Sequence, residues 1–148
     1  DDFAVRSQKD ALQIVTTITG GLTLMLGAIG GVSLLVGGIG IMNIMLVSVS
    51  ERTEEIGLRK ALGARSSDVL MQFLIESLIL ATMGGLIGTF VGVGTINGLA
   101  LLTPLPATIG LNTIATTVTL SGTIGLFFGV LPAKRAAQLD PIEALRSL

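Results

Sequence analysis

The densest run of ionisable side chains lies in the segment Ser50 to Ser77, SERTEEIGLRKALGARSSDVLMQFLIES. There Glu51, Arg52, Glu54, Glu55, Arg59, Lys60, Arg65 and Asp68 fall within eighteen residues. The residue types limit the chemistry. The chain has no Cys and no His, so thiol catalysis, disulfides and the usual transition-metal sites lack their side chains. No G-x-x-x-x-G-K-[ST] loop occurs, and the GGIGIMN run lies inside an apolar stretch. The expectation is a chain with no catalytic residue, no bound cofactor or metal, and no ATP hydrolysis of its own.

What the charged run can do is build and present a short helix. Its first turn is acidic and its later turns basic, which matches the helix macrodipole, and Ser50 is expected to cap it. Glu55 and Arg59 form an i, i+4 pair of the favourable orientation. Ile56, Leu58 and Leu62 offer apolar contacts, Gly63 ends the helix, and Ser67 is expected to cap the next one ahead of Asp68. Such an amphipathic helix, set at 50–66, either rests on lipid or docks on a soluble partner. The balanced charge favours the partner, because helices that lie on lipid usually carry excess Lys and Arg.

The elements on either side are membrane spans. Half of the residues are apolar and 13% are charged, against about a quarter charged in soluble domains. Three segments are nearly free of charge: Ala11–Ser50, Val69–Asn97 apart from Glu76, and Gly98–Ala133. Each exceeds the roughly 20 residues a span needs. The expected fold is all-α and polytopic, with three transmembrane helices, the amphipathic helix and an N-terminal stalk helix. The expected boundaries are a stalk at 1–21, a span at 22–49, the charged helix at 50–66 and a span at 67–97. An outer loop at 98–112, a span at 113–131 and a tail at 132–148 complete them. Trp and Tyr are absent, leaving Phe and flanking cations as interfacial anchors.

Topology follows from charge. Four Lys/Arg lie in 51–68, three in the tail and none in 97–112. The positive-inside rule puts the first two regions in the cytoplasm and the loop outside, so the N-terminal end is extracytoplasmic and the C-terminus cytoplasmic. A net charge of −1 supplies no basic patch for nucleic acid.

Small residues recur at helical spacing: Gly84, Gly88 and Gly92 on the second span, Ser121, Gly125 and Gly129 on the third, Gly27 and Gly31 on the first. Such rows let helix backbones approach closely in lipid, so they are expected to pack helices. Asn43 and Glu76 are the intramembrane polar groups. A charge at the centre of a span costs about 2.5–3.5 kcal/mol, so Glu76 is expected either to stand as a snorkelling or protonated carboxyl or to pair with Asn43 or with a cation of the charged helix. In the tail, Asp140 before Pro141, with Glu143 following, reads as a helix start.

Three motifs together, VGGIGIMNIMLVSVSERTEEIGLRKALGA, QFLIES and LPAKRAAQLDPIEALR, resemble the C-terminal region of MacB/FtsX-type ABC transporter permeases, and most closely the MacB branch. The resemblance runs from Phe3 to Arg146. It implies a bacterial inner-membrane permease working as a homodimer or paired subunit with a cytoplasmic ABC ATPase, which binds the ATP and Mg²⁺. It implies a further span and an extracytoplasmic domain outside this chain, and a mechanotransmission cycle for efflux or export. A periplasmic adaptor and an outer-membrane exit duct are implied as further partners. Arg52 to Ala64 would be the coupling helix, with Arg52, Glu54, Glu55, Ile56, Leu58, Arg59, Lys60 and Leu62 touching the ATPase. Residues 3–20 would be the stalk and 98–112 an outer shoulder loop. The alternative is an FtsX-like regulatory module that passes ATPase state to an extracytoplasmic partner without transport. A stand-alone channel or secondary transporter is disfavoured, because such proteins usually carry several intramembrane ionisable groups.

Overall fold

A computed structural model describes residues 1–146. The described residues form five helices in order: α1 (Asp2–Glu51), α2 (Thr53–Ala61), α3 (Ser66–Leu102), α4 (Leu111–Ala137) and α5 (Pro141–Arg146). Among the described residues there is no strand. Helices α1, α3 and α4 are each long and apolar enough to cross a membrane. Large apolar side chains such as Leu24, Phe90 and Leu101 are exposed along them, a surface suited to hydrocarbon. The chain is therefore an all-α, polytopic membrane domain.

The expected stalk and first span fall within one helix, α1. At about 1.5 Å per residue its fifty residues extend roughly 75 Å, more than twice the hydrocarbon thickness. Helix α3 continues through Leu102 and α4 begins at Leu111, so the break between them is shorter than the loop expected at 98–112. Thr103 is extended (φ −131°, ψ 149°), the backbone that a following proline favours, and Pro104 and Pro106 follow it.

The chain divides into two units, one ending at Val36 and one beginning at Gly37. The first is a single helical rod. Its hydroxyls bond back to their own helix: Thr16 and Thr17 Oγ1 each donate at 2.8 Å, to the Leu12 and Gln13 carbonyls, and Ser33 Oγ donates to Ile29. Such bonds satisfy hydroxyls within one helix, so they add little cost in lipid.

The second unit holds the last turns of α1 together with α2 to α5. Helices α3 and α4 run antiparallel through two rows at i, i+4, i+8. Gly85 meets Ser121, Ala81 meets Gly125 and Ser77 meets Gly129. At Gly125 an added Cβ would press on Ala81 and lie 3.0 Å from the Ser77 carbonyl oxygen. The row Ser121, Gly125, Gly129 thus faces α3. The glycine row expected to pack α3 against another helix does not face α4. Gly84, Gly88 and Gly92 have open space where their Cβ atoms would be. The α3 partner row is instead Ser77, Ala81 and Gly85, about 100° away around the helix. The reason lies further along the same stripe, where Val69 and Phe73 enter the core and set the helix rotation. Gly27 and Gly31 likewise meet nothing. On α1 the close approach belongs to Gly38, where a side chain would collide with the Phe128 ring.

Candidate functional site, the charged end of the bundle

One hydrophobic cluster gathers Met45 and Val49 of α1, Ile56 of α2, Val69 and Phe73 of α3, and Ala133 and Ala136 of α4. It gives α2 a floor. The local chain geometry sets the position of α2. Ser50 remains inside α1, its Oγ donating to the Leu46 carbonyl at 3.1 Å, so it is not the expected cap. The break comes at Arg52, which precedes α2 without a side-chain cap bond. At the other end Gly63 adopts φ +107°. The Gly63 N–H donates to the Lys60 carbonyl at 3.1 Å and the Ala64 N–H to the Arg59 carbonyl at 3.0 Å. This Schellman closure needs a left-handed residue, and glycine takes that conformation without Cβ strain. Helix α3 then starts after Arg65, whose N–H donates to Asp68 Oδ2 at 3.1 Å. Ser67 lies past that start and is not the cap. Asp140 does cap α5, its Oδ1 accepting from the Ile142 N–H at 3.0 Å.

Arg52 is the electrostatic centre of this end. Its Nη1 lies 3.2 Å from Glu76 of α3 and its Nε 3.3 Å from Glu55. Its guanidinium carbon sits 5.4 Å from the centroid of the Phe73 ring, a cation–π contact of about 0.5–1 kcal/mol at a partly exposed site. The hydrogen bond to Glu55 is the main cause holding the Arg52 pKa above its ordinary value, and the same bond holds the Glu55 carboxyl below its own. Glu55 also accepts from Arg59 Nη2 at 2.8 Å, while Arg59 Nη1 donates to Gln72 of α3. Of the two partners expected for Glu76, the cation takes it. Asn43 is exposed on α1 and makes no side-chain hydrogen bond among the described residues.

Lys60 fastens the other end of α2. Its Nζ donates to the Ala137 carbonyl, at the end of α4, and to the Leu139 carbonyl at 2.9 Å. Between these two attachments Gly57 packs against α5, where an added Cβ would come within 2.6 Å of the Ala144 Cβ.

The eight residues grouped by sequence as one contact surface therefore separate. Ile56 is buried in the core, Arg52 turns to α3, and Lys60 turns to the end of α4. Glu54, Glu55, Leu58, Arg59 and Leu62 remain exposed, with Leu58 at 52% and Leu62 at 81%. Beside them α5 exposes Ile142 and Leu145. Sequence reasoning missed Gly57, although a glycine in the middle of an otherwise ordinary helix is itself a signal of close backbone approach.

The chain is a polytopic helical membrane domain with a charged helix clamped at one end of its spans. The chain belongs to the FtsX-like permease family: residues 27–141 match its C-terminal domain. It is 52% identical over 146 residues to the macrolide export ATP-binding/permease protein MacB of Chlorobium phaeobacteroides (strain DSM 266 / SMG 266 / 2430), covering 99% of this chain and 22% of that protein. It is 48% identical over 147 residues to MacB of Azoarcus sp. (strain BH72), again covering 99% and 22%. With the uncharacterized ABC transporter permease YknZ of Bacillus subtilis (strain 168) it shares 47% over 146 residues, covering 99% and 37%. The chain thus spans from about a fifth to somewhat over a third of the length of these curated relatives. It is an ABC transporter permease-type membrane domain, of the MacB/FtsX-like kind, from a bacterial inner membrane.

Proposed function

We propose that this domain couples a cytoplasmic ABC ATPase to movements on the far side of the membrane, as part of an efflux or export machine. The chain itself is non-catalytic, and ATP and Mg²⁺ bind on the ATPase. Helix α2 is the coupling helix and its end of the bundle faces the cytoplasm. In support, Lys and Arg concentrate in 51–68 and the tail and are absent from 97–112. The N-terminal part of α1 is the extracytoplasmic stalk. A second permease copy completes the membrane unit, and the macrolide-export name of the MacB relatives makes an amphiphilic small molecule the first cargo to try.

The observation that carries this reading is the two-sidedness of α2. Its inner side is tied into α3, α4 and α5, while its outer side leaves Leu58 and Leu62 in the open. A helix fixed to the spans with an apolar outer face suits the transfer of force from a docked soluble domain. Leu58→Glu with Leu62→Glu, placed in the full-length parent, tests it. Membrane insertion should be unchanged, and co-purification of the ATPase should fall by about tenfold or more, as for loss of an interface hot spot. Undiminished association, or labelling of Leu62→Cys from the outer side, would overturn the proposal.

A further inference from the structure

Resting on that reading, we propose that Lys60 is a positioning residue: it is the second of two clamps that stop α2 from pivoting, and it passes the motion of α2 directly to α4. The geometry starts from Arg52. The Arg52 contacts with Glu76 and the face of Phe73, like the bond from Arg59 to Gln72, are made to α3, so these polar joints do not fix α2 against α4. Lys60 lies eight residues further on, about 12 Å along the helix. Its ammonium bridges the Ala137 carbonyl, on the last residue of α4, and the Leu139 carbonyl two residues beyond it. The first is a group that a helix end leaves unsatisfied and that favours a cation.

Three further features fit a built strut. Lys60 is half-buried and its bonds reach 77 and 79 residues along the chain, so they join separate elements. The next residue inward on that side, Gly57, lets α2 touch Ala144 of α5, which holds the segment after Leu139 against α2. Finally, α3 and α4 are locked to each other by the Ser77–Gly129, Ala81–Gly125 and Gly85–Ser121 contacts. The clamps at Arg52 and Lys60 therefore act on one rigid pair. With Lys60 released, a push on α2 turns that helix about Arg52 instead of moving the pair.

The test uses the full-length permease with its ATPase in nanodiscs. This chain has no natural Cys, which simplifies labelling within it. Spin labels at Ala61→Cys and Arg135→Cys, both exposed positions, report the α2–α4 distance. An environment-sensitive dye at Asn112→Cys reports ATP-dependent movement at the opposite end of α4. Unsubstituted protein should give one narrow distance, the same with and without trapped ATP. In Lys60→Met the distance should broaden and the ATP-dependent dye signal fall roughly tenfold, within the range of mutations that act on coupling without touching ligand. The ATPase should still co-purify, and Lys60→Arg should restore the narrow distance and the signal.

A Lys60→Met protein with a lower melting temperature but a full dye signal would reduce Lys60 to a helix cap and overturn the proposal. Loss of ATPase association would overturn it too, by showing that Lys60 touches the partner, while leaving α2 as the docking helix. If the unsubstituted complex gave no ATP-dependent signal at all, the underlying reading would fail, and the clamp with it.

Discussion

The α3–α4 interface and the end of the bundle around α2 join the same helices by opposite means. Along α3 and α4 the contacts are small and uncharged: Ser77, Ala81 and Gly85 against Gly129, Gly125 and Ser121. Lipid removes the hydrophobic drive between helices, so close backbone approach has to supply the attraction. Around α2 the joints are made by Arg52, Lys60, Glu55 and Glu76, over a floor of Met45, Ile56 and Phe73. Water lowers the value of each exposed ion pair to about 0–1 kcal/mol, so that end relies on several joints at once. The first interface is stiff because nothing fits between its helices. The second holds by directional bonds that a partner can load.

Overpacking should break the comparison most severely. Gly125→Leu drives a side chain into Ala81 and the Ser77 carbonyl and is expected to destabilise the domain by about 1–3 kcal/mol, read as unfolding in mixed micelles. Gly88→Leu, where nothing lies within 4 Å, should change unfolding by less than about 0.5 kcal/mol. Equal losses at the two positions would show that the helix rotation described above is wrong.

Next in size is Glu76→Gln, which leaves Arg52 with Glu55 as its only carboxylate partner among the described residues. Both side chains of the Arg52–Glu76 pair are about a third exposed, so the stability change should stay within about 1 kcal/mol and expression should persist. Coupling of ATPase to transport should weaken. Unaltered transport-linked ATPase activity in this variant would remove the role assigned to the joint.

The smallest effect is with pH. The Glu55 pKa is lowered, first by its hydrogen bond from Arg52. Its contribution is therefore present above the unfolded-state pKa and is lost as pH falls through the folded-state value. Stability measured from about pH 6 down to about pH 3 should decline, and Glu55→Gln should remove part of that slope. An unchanged slope in the variant would show that Glu55 is not held by Arg52 in solution.

Much of this was legible in the residues alone. The helical class and the three spans follow from charge-free stretches longer than a bilayer needs, the end of α2 from Gly63, the start of α5 from Asp140–Pro141, and the Glu55–Arg59 pair from i, i+4 spacing. These features depend on neighbours within a few positions, and local sequence states them fully. Which face of each helix meets another does not. Gly84, Gly88, Gly92 and Ser77, Ala81, Gly85 are two rows of the same period on one helix, and only the burial of Val69 and Phe73 at its far end chose between them. In the same way Lys60 reads as an exposed cation until the end of α4, 77 residues away, is brought to it. Period is a property of the chain, whereas rotation and long-range pairing are set by the packing of all the helices together.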